Sequence, residues 1–221
     1  MKKLMKLILL LVLFQQTYAQ QKKDAPYTKE INEFRAIDSA NFPGSNQILL
    51  IGSSSFTIWK DVQDYFPGYP IINRAFGGST LKDQIRWVKE VVYPYNPKQI
   101  LVYCGENDLA ASDTLTAASV IGRFQTLYSL IRKKYPKVPI YFVSLKPSPS
   151  RALLLDKMIA VNAGVKAFLA KQKNTGFIDV YSQMIDDEGK PKPELFRDDN
   201  LHMKKEGYLI WQRVIAPYLI K

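Results

Sequence analysis

The chain has 221 residues, of which 47% are hydrophobic and 23% are charged, a composition that suits one globular domain with a substantial core. These values exclude a disordered or fibrous protein. The formal net charge is +11, but its lysines are spread along the sequence, so no nucleic-acid partner is expected. One cysteine cannot form an intrachain disulfide. One cysteine and one histidine cannot build the usual zinc ligand sets, which leaves only a site made of carboxylates. No motif indicates such a metal site, and no cofactor is expected.

The first residues have the layout of a secretory signal peptide. Three lysines precede an uninterrupted apolar run over 7–14, and the segment 17–19 offers a small-residue cleavage site. A membrane-spanning helix needs about 20 apolar residues, so no stable span is expected after cleavage. Loss of the three lysines would lower the net charge from +11 to +8. We therefore expect 1–19 to be a signal peptide, 20–221 to be a single domain, and the mature protein to be secreted or periplasmic.

Beyond this leader, the spacing of apolar residues predicts alternating helices and strands. In chain order these are a helix over 27–41, strands over 47–51 and 70–73, a helix over 81–92, a strand over 99–103, a helix over 119–135, a strand over 139–145, a helix over 153–170, a strand over 176–180 and a helix over 204–219. The strands are apolar almost throughout, as in parallel strands that are covered on both faces. The pattern predicts a three-layer α/β/α sandwich with a parallel sheet of about five strands.

Three of the predicted strands end in clusters of small or polar residues. The first runs into Gly-Ser-Ser-Ser at 52–55, the second into Asn-Arg-Ala-Phe-Gly-Gly-Ser-Thr at 73–80, and the third into Gly-Glu-Asn-Asp at 105–108. A further cluster lies near the C-terminus, where Asp199 precedes the only histidine, His202, by three residues. Because the reactive loops of parallel α/β sheets lie at the carboxyl ends of the strands, these segments are candidates for one site.

In this order, the four segments resemble the blocks that define the SGNH (GDSL-type) hydrolases. The resemblance spans 52–202 and implies that Ser54 is a nucleophile whose catalytic triad is completed by Asp199 and His202. It also implies an oxyanion hole made by the backbone N–H groups of Ser54 and Gly78 and by the side-chain amide of Asn107. A further implication is the flavodoxin-like strand order 2-1-3-4-5. No cofactor or metal is implied.

The sequence departs from the family pattern in two places. Ser53 stands where the family has the Asp of Gly-Asp-Ser, and Ser55 stands where it has a Leu. The register selects Ser54 among the three consecutive serines. In the second block a double glycine leaves Gly77 as an alternative donor to Gly78.

The residue types fit the chemistry of acyl transfer. A serine hydroxyl is a weak nucleophile until a neighbouring base removes its proton. Histidine is the side chain that ordinarily titrates near neutrality, and a carboxylate beside it fixes its tautomer and stabilises its protonated form. Hydrogen-bond donors aimed at the developing oxyanion stabilise the tetrahedral intermediate.

Other residues allow both structural and functional interpretations. Phe56, Trp59 and Trp87 are expected to pack in the core rather than to form a substrate platform. For Arg74 a surface salt bridge is favoured over a contact with an anionic substrate group. The segment 146–151, which follows the fourth strand, is either a substrate-shaping loop or a plain connection.

The sequence thus predicts an exported serine esterase that hydrolyses a short-chain ester, acetyl by first preference, through an acyl-serine intermediate. Its partner would be a small-molecule or glycan ester, with O-acetylated carbohydrate favoured by family analogy and by the predicted export. The alternatives are a lysophospholipase or lipid esterase, a glycan-binding protein with a vestigial hydrolase site, and an enzyme that transfers the acyl group to a sugar hydroxyl. The sequence does not indicate an oligomeric state.

Overall fold

The computed structural model describes residues 25–221, so the predicted signal peptide lies outside the described part of the chain. The strands are β1 (Ile48–Gly52), β2 (Ile71–Asn73), β3 (Gln99–Tyr103), β4 (Ile140–Val143) and β5 (Thr175–Ile178). The α-helices are α1 (Thr28–Ala40), α2 (Ser54–Thr57), α3 (Val62–Tyr65), α4 (Leu81–Val91), α5 (Glu106–Ala110), α6 (Ala117–Lys134), α7 (Leu155–Leu169) and α8 (Lys205–Ile215). Short 3₁₀ helices cover Pro149–Leu154, Pro193–Leu195 and Ala216–Tyr218. No helix within the described residues is both long enough and apolar enough to cross a bilayer.

The five strands form one sheet in the order β2-β1-β3-β4-β5, and every neighbouring pair is parallel. Strand β1 is hydrogen-bonded on both sides, with Ile48 in register with Ile71 of β2 and Gln99 of β3. The expected α/β fold with strand order 2-1-3-4-5 is confirmed.

Alternate residues of the strands enter two separate cores. Leu49 and Ile51 pack in a cluster with residues of α1, α4, α6 and α7. Ile48 and Leu50 pack with residues of α2, α3 and α8 on the opposite face. Successive side chains of a strand point to opposite faces, so a strand that is covered on both sides must be apolar at every position. This explains why these strands show no polar alternation in the sequence.

Several element boundaries are set by side chains that bond to the backbone. Helix α4 begins after Thr80, which forms a capping box with Asp83. Strand β4 ends at Val143, two residues before the predicted end. Leu145 is buried but leaves the sheet, because its N–H donates to Asn162 Oδ1 at 2.8 Å and its carbonyl accepts from Asn162 Nδ2 at 3.0 Å. A side-chain amide therefore replaces a neighbouring strand as the partner of this backbone.

The three aromatic residues that were expected in the core lie there, whereas Arg74 does not behave as expected. Phe56, Trp59 and Trp87 are at most 1% exposed and belong to the cores. Arg74 is buried rather than on the surface: its guanidinium pairs with Asp38 and its Nε donates to Tyr95 Oη at 2.8 Å. Burial, reinforced by the hydrogen bond to Asp38, raises the pKa of Tyr95 to about 12. Arg74 thus belongs to a structural network beside the sheet edge.

Candidate active site

A glycine connects β1 to the loop of three serines. Gly52 has φ +132°, and a Cβ at this position would lie 1.9 Å from the carbonyl oxygen of Tyr103. Only glycine permits this approach of two backbones. The next residue, Ser53, donates its N–H to the same Tyr103 oxygen at 2.9 Å. The ends of β1 and β3 are thereby locked together where the candidate site begins.

The three consecutive serines have different surroundings. Ser53 and Ser55 are 5% and 2% exposed, whereas Ser54 is the partly exposed member of the three. The Ser53 hydroxyl accepts a hydrogen bond from Asn107 Nδ2 at 2.7 Å. The backbone of Ser55 accepts one from Tyr208 Oη at 2.9 Å. Neither the hydroxyl nor the N–H of Ser54 has a hydrogen-bond partner among residues 25–221. Ser54 is thus the serine that has both solvent access and free polar groups.

The glycine turn after β2 lies against Ser54. A Cβ at Gly77 would be 3.9 Å from the Cβ of Ser54, which places the turn in contact with the serine. Gly78 has φ +78°, a conformation that favours glycine. The Ser79 hydroxyl holds the turn by donating to the carbonyl of Gly52 at 3.1 Å. Gln84 reinforces it with hydrogen bonds to the same carbonyl and to the Ser79 hydroxyl.

Asn107 lies in the first turn of α5, at the end of β3. Its Nδ2 donates to the Ser53 hydroxyl at 2.7 Å and to the carbonyl oxygen of Ser79 at 3.1 Å. The amide is therefore oriented between the serine loop and the glycine turn, which are the two segments expected to supply the other oxyanion donors. An oxyanion would share or replace one of these acceptors, and the Ser53 hydroxyl is the one that can rotate away.

Asp199 and His202 form a compact unit on a tight turn. The Asp199 Oδ2 lies 2.6 Å from His202 Nδ1, while Oδ1 accepts the backbone N–H groups of Leu201 and His202, each at 2.9 Å. These hydrogen bonds, led by that of the His202 backbone, hold the pKa of the Asp199 carboxyl well below its usual range. An ionised carboxylate can only accept, so Nδ1 carries the proton and donates it. The Nε2 atom is therefore the basic nitrogen of the ring.

Packing of α8 against α2 ties the segment that follows this turn to the serine loop. Tyr208, six residues after His202, bonds to the backbone of Ser55, and its ring lies 4.8 Å from that of Trp59. Burial raises the pKa of the Tyr208 hydroxyl well above its usual value, so it stays a donor. No hydrogen bond joins the His202 ring to Ser54 within the described residues. Catalytic hydrogen bonds are often long without substrate and tighten in the complex.

A buried ion pair lies beside the residues of the site, and no sequence pattern indicates it because its two partners are 40 positions apart. Lys146, 1% exposed, places its Nζ 3.0 Å from Glu106 Oε2, and Tyr103 Oη donates to the same oxygen at 2.6 Å. Burial, followed by the nearby Glu106 charge, raises the pKa of Tyr103 well above its usual value. Lys146 Nζ also lies 5.9 Å from the ring centroid of Phe196, which leads into the His202 turn. One ammonium thus contacts both the residue before Asn107 and the base-bearing segment.

Two neighbours of the predicted site residues do more than the sequence indicated. Ser53 was passed over as an alternative nucleophile, yet it orients Asn107. Asp108, which follows Asn107, accepts the N–H of Leu81 at the start of α4 and pairs with Arg123. Burial raises the pKa of this carboxyl. Their hydrogen-bond partners are distant in the chain, so no local pattern predicts these contacts. Their position beside a motif residue is the one feature of the sequence that points to them.

Residues 52–210 match the sequence profile of the GDSL-like lipase/acylhydrolase family, a region that covers most of the chain. The chain belongs to this family. No match was found among curated proteins. The profile match confirms the expected recognition of the chain as a GDSL/SGNH hydrolase and agrees with the observed fold. This family acts on esters. The roles of Ser54, Asp199 and His202 in this chain stay predictions.

Solved structures with the same fold include several hydrolases of this family. A protein described as a platelet activating factor from Streptococcus pneumonia is similar with a TM-score of 0.76 and 18% identity, covering 96% of this chain and 99% of its own. A GDSL-like lipase from Bacteroides thetaiotaomicron has a TM-score of 0.71 and 21% identity, with 85% of this chain and 96% of its own covered. A carbohydrate esterase family 3 protein from Talaromyces cellulolyticus has a TM-score of 0.61 and 16% identity, with 78% and 95% covered. At these identities the similarity establishes the fold.

Proposed function

We propose that the protein is an exported esterase that removes a short acyl group, acetyl by preference, from a carbohydrate ester. The observation that carries the hydrolytic part is the Asp199–His202 pair, in which the 2.6 Å hydrogen bond at Nδ1 leaves Nε2 as the base. The partly exposed Ser54 heads α2 on the loop against which α8 packs. Because the family acts on esters, we take an ester as the substrate on which the Asp199–His202 pair and Ser54 would act.

The proposed reaction has two steps. His202 Nε2 takes the proton of the Ser54 hydroxyl as Oγ attacks the ester carbonyl, and the resulting tetrahedral oxyanion receives hydrogen bonds from Ser54 N–H, the glycine turn and Asn107. The intermediate collapses to an acyl-serine, and His202 returns the proton to the departing alcohol. Water then attacks the acyl-serine with the same base, which releases the acid and free Ser54. Asp199 stabilises the protonated imidazole at both steps.

A short acyl group and a carbohydrate alcohol are supported by two considerations. The segments between the site loops show no long apolar insertion over residues 25–221 of the kind that a lipase uses to cover long chains. One structural relative is a carbohydrate esterase, and the predicted signal peptide would deliver the protein to a compartment that contains glycans. Both considerations concern substrate choice, and neither alters the chemistry at Ser54.

The first test is hydrolysis of p-nitrophenyl acetate, butyrate and octanoate by the purified protein beside Ser54→Ala. We expect turnover that falls with chain length in the wild type and no turnover in the variant. A serine-reactive phosphonate should label Ser54 and leave the variant unlabelled. Preference for octanoate, together with activity on lysophosphatidylcholine, would favour the lipid esterase. Inert proteins with Ser54 unlabelled would overturn the enzyme and favour a glycan-binding role.

A further inference from the structure

The 3₁₀ helix Pro149–Leu154 lies between the two halves of the candidate site. It follows β4 at the carboxyl edge of the sheet and packs against α5, the helix that bears Asn107. On its other side the N–H of Ser150 donates to the carbonyl of Asn200 at 3.0 Å. Asn200 is two residues before His202. The segment 146–151, for which the sequence allows a substrate-shaping loop or a plain connection, therefore contacts both α5 and the turn that bears Asp199 and His202 (the base turn).

Arg151, in the middle of this 3₁₀ helix, is a partly buried cation that has no counterion among residues 25–221. Within residues 25–221 its guanidinium makes no hydrogen bond or ion pair, and its Nε is shielded from solvent without an acceptor. The other buried or partly buried arginines of that region are all paired: Arg74 with Asp38, Arg123 with Asp108, and Arg132 with backbone carbonyls. Arg151 alone among them lacks an acceptor.

A second polar group of the same turn also lacks a hydrogen-bond partner among residues 25–221. Ser148 is completely buried, and its hydroxyl has no hydrogen-bond partner among the described residues. Buried polar groups are nearly always paired, and partial removal of a cation from water costs free energy that a counterion offsets. Arg151 and Ser148 are joined by the hydrogen bond from the Arg151 N–H to the Ser148 carbonyl, at 3.0 Å. The Ser148 hydroxyl and the Arg151 Nε are enclosed by protein, so the part of this turn that a ligand can reach is the remainder of the partly exposed Arg151 guanidinium.

We propose that Arg151 is a specificity-determining residue that binds an anionic group on the alcohol part of the ester. The planar guanidinium fork matches the geometry of a carboxylate or a phosphate. The alcohol side is assigned because His202 must deliver a proton to the departing alcohol, which therefore lies towards the base turn that Ser150 contacts. This inference rests on the proposed esterase activity, and it specifies a sugar acid or sugar phosphate as the class of alcohol.

The test compares three methyl glycosides that carry an acetyl group on the same hydroxyl: glucoside, glucuronide and glucoside 6-phosphate. Release of acetate is measured for the wild type, Arg151→Gln and Arg213→Gln. Arg213 is an exposed arginine near the end of α8, so its variant has the same change of charge away from the site. A charged hydrogen-bonded pair should favour the anionic ester about 10–100-fold in kcat/KM. The preference should disappear in Arg151→Gln and persist in Arg213→Gln.

The outcomes separate this inference from the proposed function. A wild type that hydrolyses all three glycosides equally, or a preference that survives in Arg151→Gln, would overturn the anion subsite while leaving the esterase intact. A preference for only one of the two anionic glycosides would support the subsite and identify carboxylate or phosphate as its ligand. If no ester is cleaved, the proposed function has failed, and calorimetric binding of methyl glucuronide decides: binding that Arg151→Gln weakens supports the subsite, and no binding overturns it.

Discussion

Replacement of Ser53, Ser54 and Ser55 one at a time by alanine tests which serine is the nucleophile. The three serines are adjacent in the chain, yet they have different surroundings in the structure. Ser54 is the partly exposed one, Ser53 accepts from Asn107 at 2.7 Å, and Ser55 is 2% exposed beneath Tyr208. The same substitution, serine to alanine, is therefore expected to have a different effect at each of the three positions.

The size of each effect follows from these contacts. Loss of a nucleophile removes nearly all turnover, and knockouts of the catalytic serine in other hydrolases cost about 10⁶ in kcat. Loss of the Ser53 hydroxyl removes one neutral hydrogen bond to the Asn107 amide, which contributes about 0.5–1.5 kcal/mol. If all of that were lost from the transition state, kcat would fall by about 2- to 13-fold. Ser55→Ala should act on stability instead, because its side chain is enclosed.

The assay measures kcat and KM with p-nitrophenyl acetate, phosphonate labelling of each variant, and urea unfolding. We expect Ser54→Ala to be inert and unlabelled, Ser53→Ala to be slower with unchanged labelling stoichiometry, and Ser55→Ala to unfold at lower urea. An inert, unlabelled Ser53→Ala with an active Ser54→Ala would refute the register argument and move the nucleophile by one residue. Folded, inactive variants of all three serines would refute the separation of roles.

Three further predictions concern the groups around the serine. Asn107→Ala should lower kcat about 10²–10³-fold with little change in KM, and unchanged turnover would remove Asn107 from the oxyanion hole. Lys146→Met leaves the Glu106 carboxylate buried without its cation, so the free energy of unfolding measured in urea should fall by about 3–5 kcal/mol. The double variant Lys146→Met/Glu106→Gln should recover part of this loss. Equal stability of all forms would contradict the prediction. Asp199→Asn should lower kcat about 10⁴-fold. The pKa of Asp199 is lower in the folded than in the unfolded protein, so this carboxylate contributes stability above about pH 4, and the contribution is lost as the pH falls through the folded value. The free energies of unfolding of wild type and Asp199→Asn should therefore converge in acid. A difference that widens there would contradict the assignment.

The fold was accessible from the sequence because burial of a strand on both faces leaves a local signature. Five apolar runs were recognised as strands, and each overlaps an observed strand. Their ends were less accessible where a side chain replaces a backbone partner, as Asn162 does at Leu145. The four-residue helices α2 and α3 were missed because so short a segment cannot show a helical period. The strand order came from the family resemblance, since no periodicity encodes which strands are neighbours.

The site divides in the same way. The sequence by itself determined the local unit Asp199-x-x-His202, whose hydrogen bonds span only three residues, and it determined that small residues follow three strands. Only the tertiary structure decided that Ser53 orients Asn107, 54 positions away, and that Lys146 pairs with Glu106, 40 positions away. It also decided that Arg151 has no acceptor within the described part of the chain. Contacts across a sheet edge depend on strand order and on how the loops pack, and these are properties of the whole chain that no short pattern of residues contains.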